Sequence, residues 1–257
     1  MQPRSPHYVF THFTNSYDIE SHKVLNAVKA HKDDINSVAW DNKNLSHIVY
    51  TGSDDCNIFV WDRRTVGSSK KPERVLIGHQ EGITNIASQG DSIHLISNGK
   101  DQLLKYWDIR MSHPITKLQT MTPLKRQKHF DYRYQAYTAR YPKHPADCSV
   151  KEFKGHSILN TLIRCDFSPA ETTGQRYVYS GSAAGSVFIY DLLTQNKVKE
   201  LKLDLNARDI IEEYDDTSIP IRDVSWHPKY ALIAATAFDG QIYLWNYKIS
   251  KEREDSK

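Results

Sequence analysis

Cysteine is scarce: Cys56, Cys148 and Cys165 are the three in 257 residues, too scattered for a disulfide framework and without a CxxC pair for zinc or redox chemistry. A reducing compartment is expected. No apolar run is long enough to span a bilayer, and the first thirty residues lack the charge, apolar stretch and cleavage site of a secretory leader. Nucleus and/or cytoplasm is the expected location, with no membrane partner. Charge of one sign is also missing, since Lys+Arg 34 faces Asp+Glu 31 for a formal net of +3. That excess is too small to argue for nucleic acid by itself. No GxGxxG, GxxxxGK[ST], HExxH or GxSxG spacing occurs, so phosphate cradling, zinc hydrolysis and serine-nucleophile chemistry have no support. Most of the twelve His stand singly, and His113, His129 and His144 are too far apart to define ligand geometry. Neither a metal nor a cofactor is expected, and the chain reads as a non-enzyme.

What is present points to short strands. Hydrophobic residues make up 39%, Tyr 15 and Trp 5 supply a high aromatic share, and Gly 11 with Pro 10 punctuate many short segments, as hairpin-built all-β folds require. The chain also repeats itself. IVYTGSDDCNIFVWD (48–62) aligns with HLISNGKDQLLKYWD (94–108), placing Trp61 and Trp107 46 residues apart. Weaker copies are YVYSGSAAGSVFIYD (177–191) and LIAATAFDGQIYLWN (232–246), and a remnant ends at Tyr17-Asp18. Each copy reads as four short strands, which is one propeller blade. Within them Ile58 and Val60 alternate with Phe59 and Trp61, as suits strands packed on both faces by neighbouring blades.

The copies resemble WD repeats, and that resemblance implies a buried relay in which a His, a Ser/Thr, an Asp and the Trp bond in series. The matching sets are His31, Thr51, Asp55, Trp61 and His79, Ser97, Asp101, Trp107, with Asp six residues before Trp and the hydroxyl four before Asp in both. Their expected role is structural. The later copies depart: His156 and Ser180 remain, but Ala184 takes the Asp place and Tyr190 the Trp place. In the last copy Asp239 and Trp245 stay while Thr217 and Ala235 replace the His and the hydroxyl.

The fold expected is an all-β WD40 β-propeller, a partial ring of four to five blades from a roughly seven-bladed parent. Residues 1–21 read as the end of a preceding blade, 22–247 as blades and 248–257 as a charged tail. The competing closure uses residues 22–28 to complete the last blade in a ring of four; the Tyr17-Asp18 remnant favours the partial ring.

Two adjacent blades carry WDRR (61–64) and WDIR (107–110). These resemble the WDxR boxes of cullin-4 ubiquitin ligase substrate receptors. The segments SDDCNIFVWDRRT, GHQEGIT, HFDYRYQ, GHSILNTLIRCDFSP and IRDVSWHP are similar to the DDB1- and CUL4-associated factor 11 group across most of residues 31–247. The resemblance implies that Arg64 and Arg110, oriented by Asp62 and Asp108, bind the DDB1-type adaptor of the ligase while a target protein is held elsewhere. A rigid strand end presenting a planar guanidinium suits paired hydrogen bonds and stacking. The alternative is a WD40 scaffold in an RNA-binding or chromatin assembly.

Two insertions interrupt the period. Residues 111–147 carry seven Lys/Arg against two Asp/Glu, with Phe130, Tyr132, Tyr134, Tyr137 and Tyr141 interleaved. Such a mixture binds single-stranded nucleic acid in some proteins; the commoner outcome is a long third-to-fourth-strand loop beside Arg110 that grips a partner or lies on the rim. Residues 207–219 hold five acids and one Arg. Because they precede a first strand, they are expected on the face opposite the first insertion, where they would attract a basic target.

Overall fold

Runs of about six residues with alternating side chains are strands whose two faces meet different neighbours. The computed structural model of the chain describes residues 13–18, 20–41, 47–120, 130–138, 142–203 and 219–246. Among these residues the runs form antiparallel strands arranged as successive small sheets. β1 (Phe13–Asp18) pairs with β2 (Lys23–Lys29). The next sheet is built from β3 (Ile35–Trp40), β4 (Ile48–Ser53), β5 (Asn57–Asp62) and β6 (Arg74–Ile77), each hydrogen-bonded to the one before. A second begins with β7 (Ile83–Ser88), β8 (His94–Gly99) and β9 (Leu103–Asp108). The chain then leaves that sheet as β10 (His113–Pro114), pairs with β6 of the previous one, and returns as β11 (Ser149–Phe153) against β9. The third sheet joins β12 (Cys165–Phe167), β13 (Tyr177–Ser180), β14 (Ser186–Asp191) and β15 (Lys197–Lys202). The last holds β16 (Ile221–Trp226), β17 (Leu232–Ala237) and β18 (Ile242–Asn246).

The cores lie between the sheets, as blades require. Ile58 and Val60 of β5 join Tyr50, Ile83, Ile86, Leu95 and Trp107 in one cluster, while Phe59 and Trp61 of the same strand face Val28 of β2 on the other side. A third cluster joins Ile96, Leu104 and Phe153 to Phe167, Val178 and Phe188, and a fourth joins Tyr179 and Val187 to Ile221, Val224 and Ile233. Burial of these side chains on both faces supplies the main drive for the array. Blades approach closely where glycine permits it: a Cβ on Gly52 would stand 2.7 Å from both Ile83 Cγ2 and Ile86 Cδ1, and one on Gly181 would stand 2.3 Å from the Ile221 carbonyl oxygen. Among the described residues β2 pairs with β1 and not with β18, so it does not complete the last blade as the four-blade closure requires. Among the described residues no helix is long and apolar enough to cross a membrane.

Candidate protein-docking site

Each blade end is set from inside. Trp61 Nε1 donates to Thr51 Oγ1 at 2.8 Å, Thr51 Oγ1 lies 2.8 Å from His31 Nε2, and His31 Nδ1 lies 2.9 Å from Asp55 Oδ2. An ionised carboxylate only accepts, so Nδ1 carries the proton and Nε2 receives the threonine's. The four side chains thus form one directed chain of donors, Trp61 to Thr51 to His31 to Asp55. Burial pushes the Asp55 carboxyl up, but the His31 contact and the backbone N–H groups of Lys32 and Asn57 outweigh it and hold the group below its ordinary range. The second blade has the same geometry: Trp107 Nε1 to Ser97 Oγ at 2.8 Å, Ser97 Oγ to His79 Nε2 at 2.7 Å, His79 Nδ1 to Asp101 Oδ1 at 3.0 Å. All eight side chains are buried.

The third blade reroutes the network. With Ala184 in place of an aspartate, His156 Nδ1 meets Tyr190 Oη at 3.0 Å, and the His156 backbone N–H donates to that same hydroxyl at 3.2 Å. Tyr190 Oη thus bonds both the ring and the backbone of His156, and the buried Nε2 has no hydrogen-bond partner. Ser180 is engaged across the blade seam by Asn98 Nδ2 at 2.8 Å. In the last blade Asp239 accepts from Tyr243 Oη at 2.6 Å, and Trp245 Nε1 donates to the Lys202 carbonyl at 3.4 Å; Thr217 lies outside the described residues.

With the tryptophans fixed, the aspartate and arginine that follow are fixed as well. Asp62 closes β5 and Asp108 closes β9. Asp62 Oδ1 accepts the Arg64 backbone N–H at 2.9 Å and its Nε at 3.0 Å, while Oδ2 accepts Nη2 at 2.6 Å. The corresponding Asp108–Arg110 distances are 2.9, 3.0 and 2.7 Å. The Arg64 guanidinium holds the Asp62 carboxyl down to about 2, and Arg110 acts in the same direction on Asp108. Both arginines remain open to solvent, with side chains 64% and 69% exposed. The arrangement therefore displays a clamped, planar donor at the same end of two neighbouring blades, with free edges for a partner's acceptors.

The first insertion crosses the molecule. After β10, Ile115, Leu118 and Ala146 pack on the cluster of Phe59, Trp61 and Val75 in the preceding blade. Farther on, Tyr132 reaches the opposite end of the blades: its ring lies under Lys100 Nζ at 4.1 Å, and its carbonyl accepts from the Asn160 N–H at 2.9 Å. A cleft of about 540 Å³ there is lined by Asp33, Asp34, Asp54 and Glu81 together with Lys100, Tyr132 and Arg133. The insertion thus leaves beside Arg110, lies along β6 of the preceding blade and has residues at the far end of the blades. Of the second insertion, only Ile219 lies within the described residues.

Sequence reasoning missed two further features. Asp131 and Arg133 repeat the carboxylate clamp, with Arg133 Nε at 2.9 Å and Nη2 at 2.7 Å; the spacing Asp-x-Arg was the available signal. Lys105 is buried with its Nζ 2.8 Å from Asp147 and 2.7 Å from Glu152, and a lysine between Leu104 and Tyr106 in a core strand was the hint. Among the described residues no group of His, Cys, Asp and Glu is placed to hold a metal.

A profile described as "WD domain, G-beta repeat" matches residues 22–62, 70–108 and 210–246. The chain carries WD40 repeats. Each of the first two matched spans runs from the outer strand of one blade to the Trp-Asp end of the next; the third blade, with Ala184 and Tyr190, falls outside them. This WD40 chain is 42% identical over 238 residues to the LEC14B protein of Lithospermum erythrorhizon, covering 92% of this chain and 47% of that protein. It is 34% identical over 239 residues to the DDB1- and CUL4-associated factor 11 homolog of Caenorhabditis elegans, covering 92% and 39% respectively. It spans less than half the length of these curated relatives. A chain in the crystal structure of a mitotic checkpoint complex superposes with a TM-score of 0.62 over 93% of this chain and 57% of its own length. At 16% identity that likeness concerns the fold alone.

Proposed function

We propose that this WD40 chain is the substrate-recruiting subunit of a cullin-4 RING ubiquitin ligase, acting in the nucleus and/or cytoplasm. The observation that carries the reading is the pair of clamped guanidinium groups, Arg64 and Arg110, held alike by Asp62 and Asp108 at the same end of adjacent blades. Likeness to proteins named DDB1- and CUL4-associated factor 11 homolog supports it. The DDB1-type adaptor takes the arginine end, and a target protein takes the other end, where the first insertion lines its cleft with Tyr132 and Arg133. The mechanism is proximity: the blades hold a target's lysines within reach of a ubiquitin-charged enzyme, and other subunits perform the transfer. Two of the insertion's cations favour a protein partner over RNA, since Arg133 and Lys143 are engaged by Asp131 and Glu152 rather than offered to phosphates.

The test is co-precipitation of the full chain with purified adaptor. Arg64→Ala with Arg110→Ala removes both donors and leaves the blade cores untouched. Anchoring arginines at interface centres cost at least about 30-fold in affinity when truncated, so the double variant should fail to capture the adaptor while keeping its thermal transition. Capture by a folded double variant rejects the assignment.

A further inference from the structure

The third blade breaks the local motif but keeps its carboxylate. Asp191 closes β14 where Asp62 and Asp108 close β5 and β9, and its Oδ1 accepts the Leu193 backbone N–H at 2.7 Å, the same turn that the arginine boxes make. Leu193, however, stands where Arg64 and Arg110 stand. The guanidinium arrives instead from the neighbouring strand: Arg176 Nε and Nη2 lie 3.1 and 2.6 Å from Asp191 Oδ2. Backbone bonds fix the correspondence. The Leu192 N–H donates to the Arg176 carbonyl at 3.0 Å, as Arg63 does to His47 at 2.8 Å and Ile109 to Ile93 at 2.9 Å. Arg176 therefore occupies the place of His47 and Ile93, one strand away from the usual arginine, and supplies the same charge to the same carboxylate.

We propose that Arg176 is a third docking arginine, so that the partner of Arg64 and Arg110 also engages the third blade through Arg176 and the side chain of Leu193. Arg176 is presented as a binding group would be. Its side chain is 47% exposed while its Asp191 anchor is almost wholly covered, and its guanidinium lies 5.5 Å from the Tyr177 ring, so one face is fixed and the rest is free. Leu193 beside it is 71% exposed, and Met111 and Tyr230 at the same blade end are 61% and 67% exposed. Exposed arginine, methionine and tyrosine at one blade end are residue types enriched in protein interfaces. The surface fits a protein that offers backbone or carboxylate oxygens in a row with an apolar recess between them.

The inference rests on the adaptor-docking reading, and one titration separates the two. Affinity of the full chain for purified DDB1-type adaptor is measured for the parent, for Arg64→Ala with Arg110→Ala, for Arg176→Ala, and for Arg176→Ala with Leu193→Arg, each with its thermal transition. Arg176→Ala should weaken binding by about tenfold, and adding Leu193→Arg, which restores the local Asp-x-Arg spacing, should recover it to within about threefold. Unchanged affinity for Arg176→Ala, alongside loss in the Arg64/Arg110 variant, overturns the third arginine and leaves the docking reading standing. Unchanged affinity in both variants overturns both. A loss that tracks a lowered thermal transition and is not rescued by Leu193→Arg assigns Arg176 to the fold and also overturns the proposal.

Discussion

Asp62 grips Arg64 through both carboxylate oxygens, one of which also takes the arginine's backbone N–H, so a single side chain fixes the turn and the guanidinium together. Asp62→Asn with Asp108→Asn keeps both arginines but loosens them. Adaptor affinity should fall by about tenfold, less than for the arginine double variant, because the donors survive and only their ordering is lost. The Asp62 carboxyl, held at about 2, stays ionised between pH 8 and about 4, so its hold on Arg64 should not change over that range. A titration by calorimetry checks both.

The relays predict stability effects with no change in shape. Thr51→Val is close to isosteric, yet it strands the Trp61 Nε1–H and the His31 Nε2 inside the blade. A cost of about 1–3 kcal/mol is expected, read as a lower midpoint in urea denaturation with an unchanged slope.

His156 gives the third blade an acid sensitivity. Burial pushes its imidazole down to about 4 from 6.5, so the folded chain keeps it neutral while the unfolded chain takes up a proton as pH drops through 6.5. Its contribution is complete above 6.5 and is lost as pH falls toward 4, on the order of 3 kcal/mol in all. His156→Phe should flatten the stability profile over that window; a slope equal to the parent's would mean that other groups set it.

Lys105 holds the returning end of the first insertion. Its ammonium is buried between Asp147 and Glu152; burial pushes it down, and the two carboxylates more than offset that and hold it protonated. Lys105→Met leaves the shielded Asp147 carboxylate without a cation and Glu152 with Lys143 alone, and should cost about 3 kcal/mol. Adding Asp147→Asn and Glu152→Gln should return much of the loss, measurable by chemical denaturation.

The blades were legible because their signals are local and periodic. Trp61 and Trp107 with their Asp six residues earlier specify a turn, a strand and a core position in one short stretch. The rim arginines were legible for the same reason, lying in fixed register with those tryptophans. Arg176 was not, because its carboxylate partner sits fifteen residues on and meets it only after β13 and β14 pair. The contact of the first insertion with the preceding blade was hidden likewise: only His113 and Pro114 pair with β6, and so short a strand leaves no period to read. The exchange of Tyr190 for Trp was visible, but the rerouting of His156 Nδ1 to it depends on a hydroxyl placed by the fold.

β10 has a mechanical consequence. The residues immediately after Arg110 are stitched to the outer edge of the blade that bears Arg64, and Arg74 on that edge donates to Ser112 just before the stitch. The seam between the two blades is strapped on the outside, which ties the placement of Arg110 to the blade that bears Arg64. Cutting that strap should widen the range of gaps between the two arginines and so raise the ordering cost of any ligand that needs both.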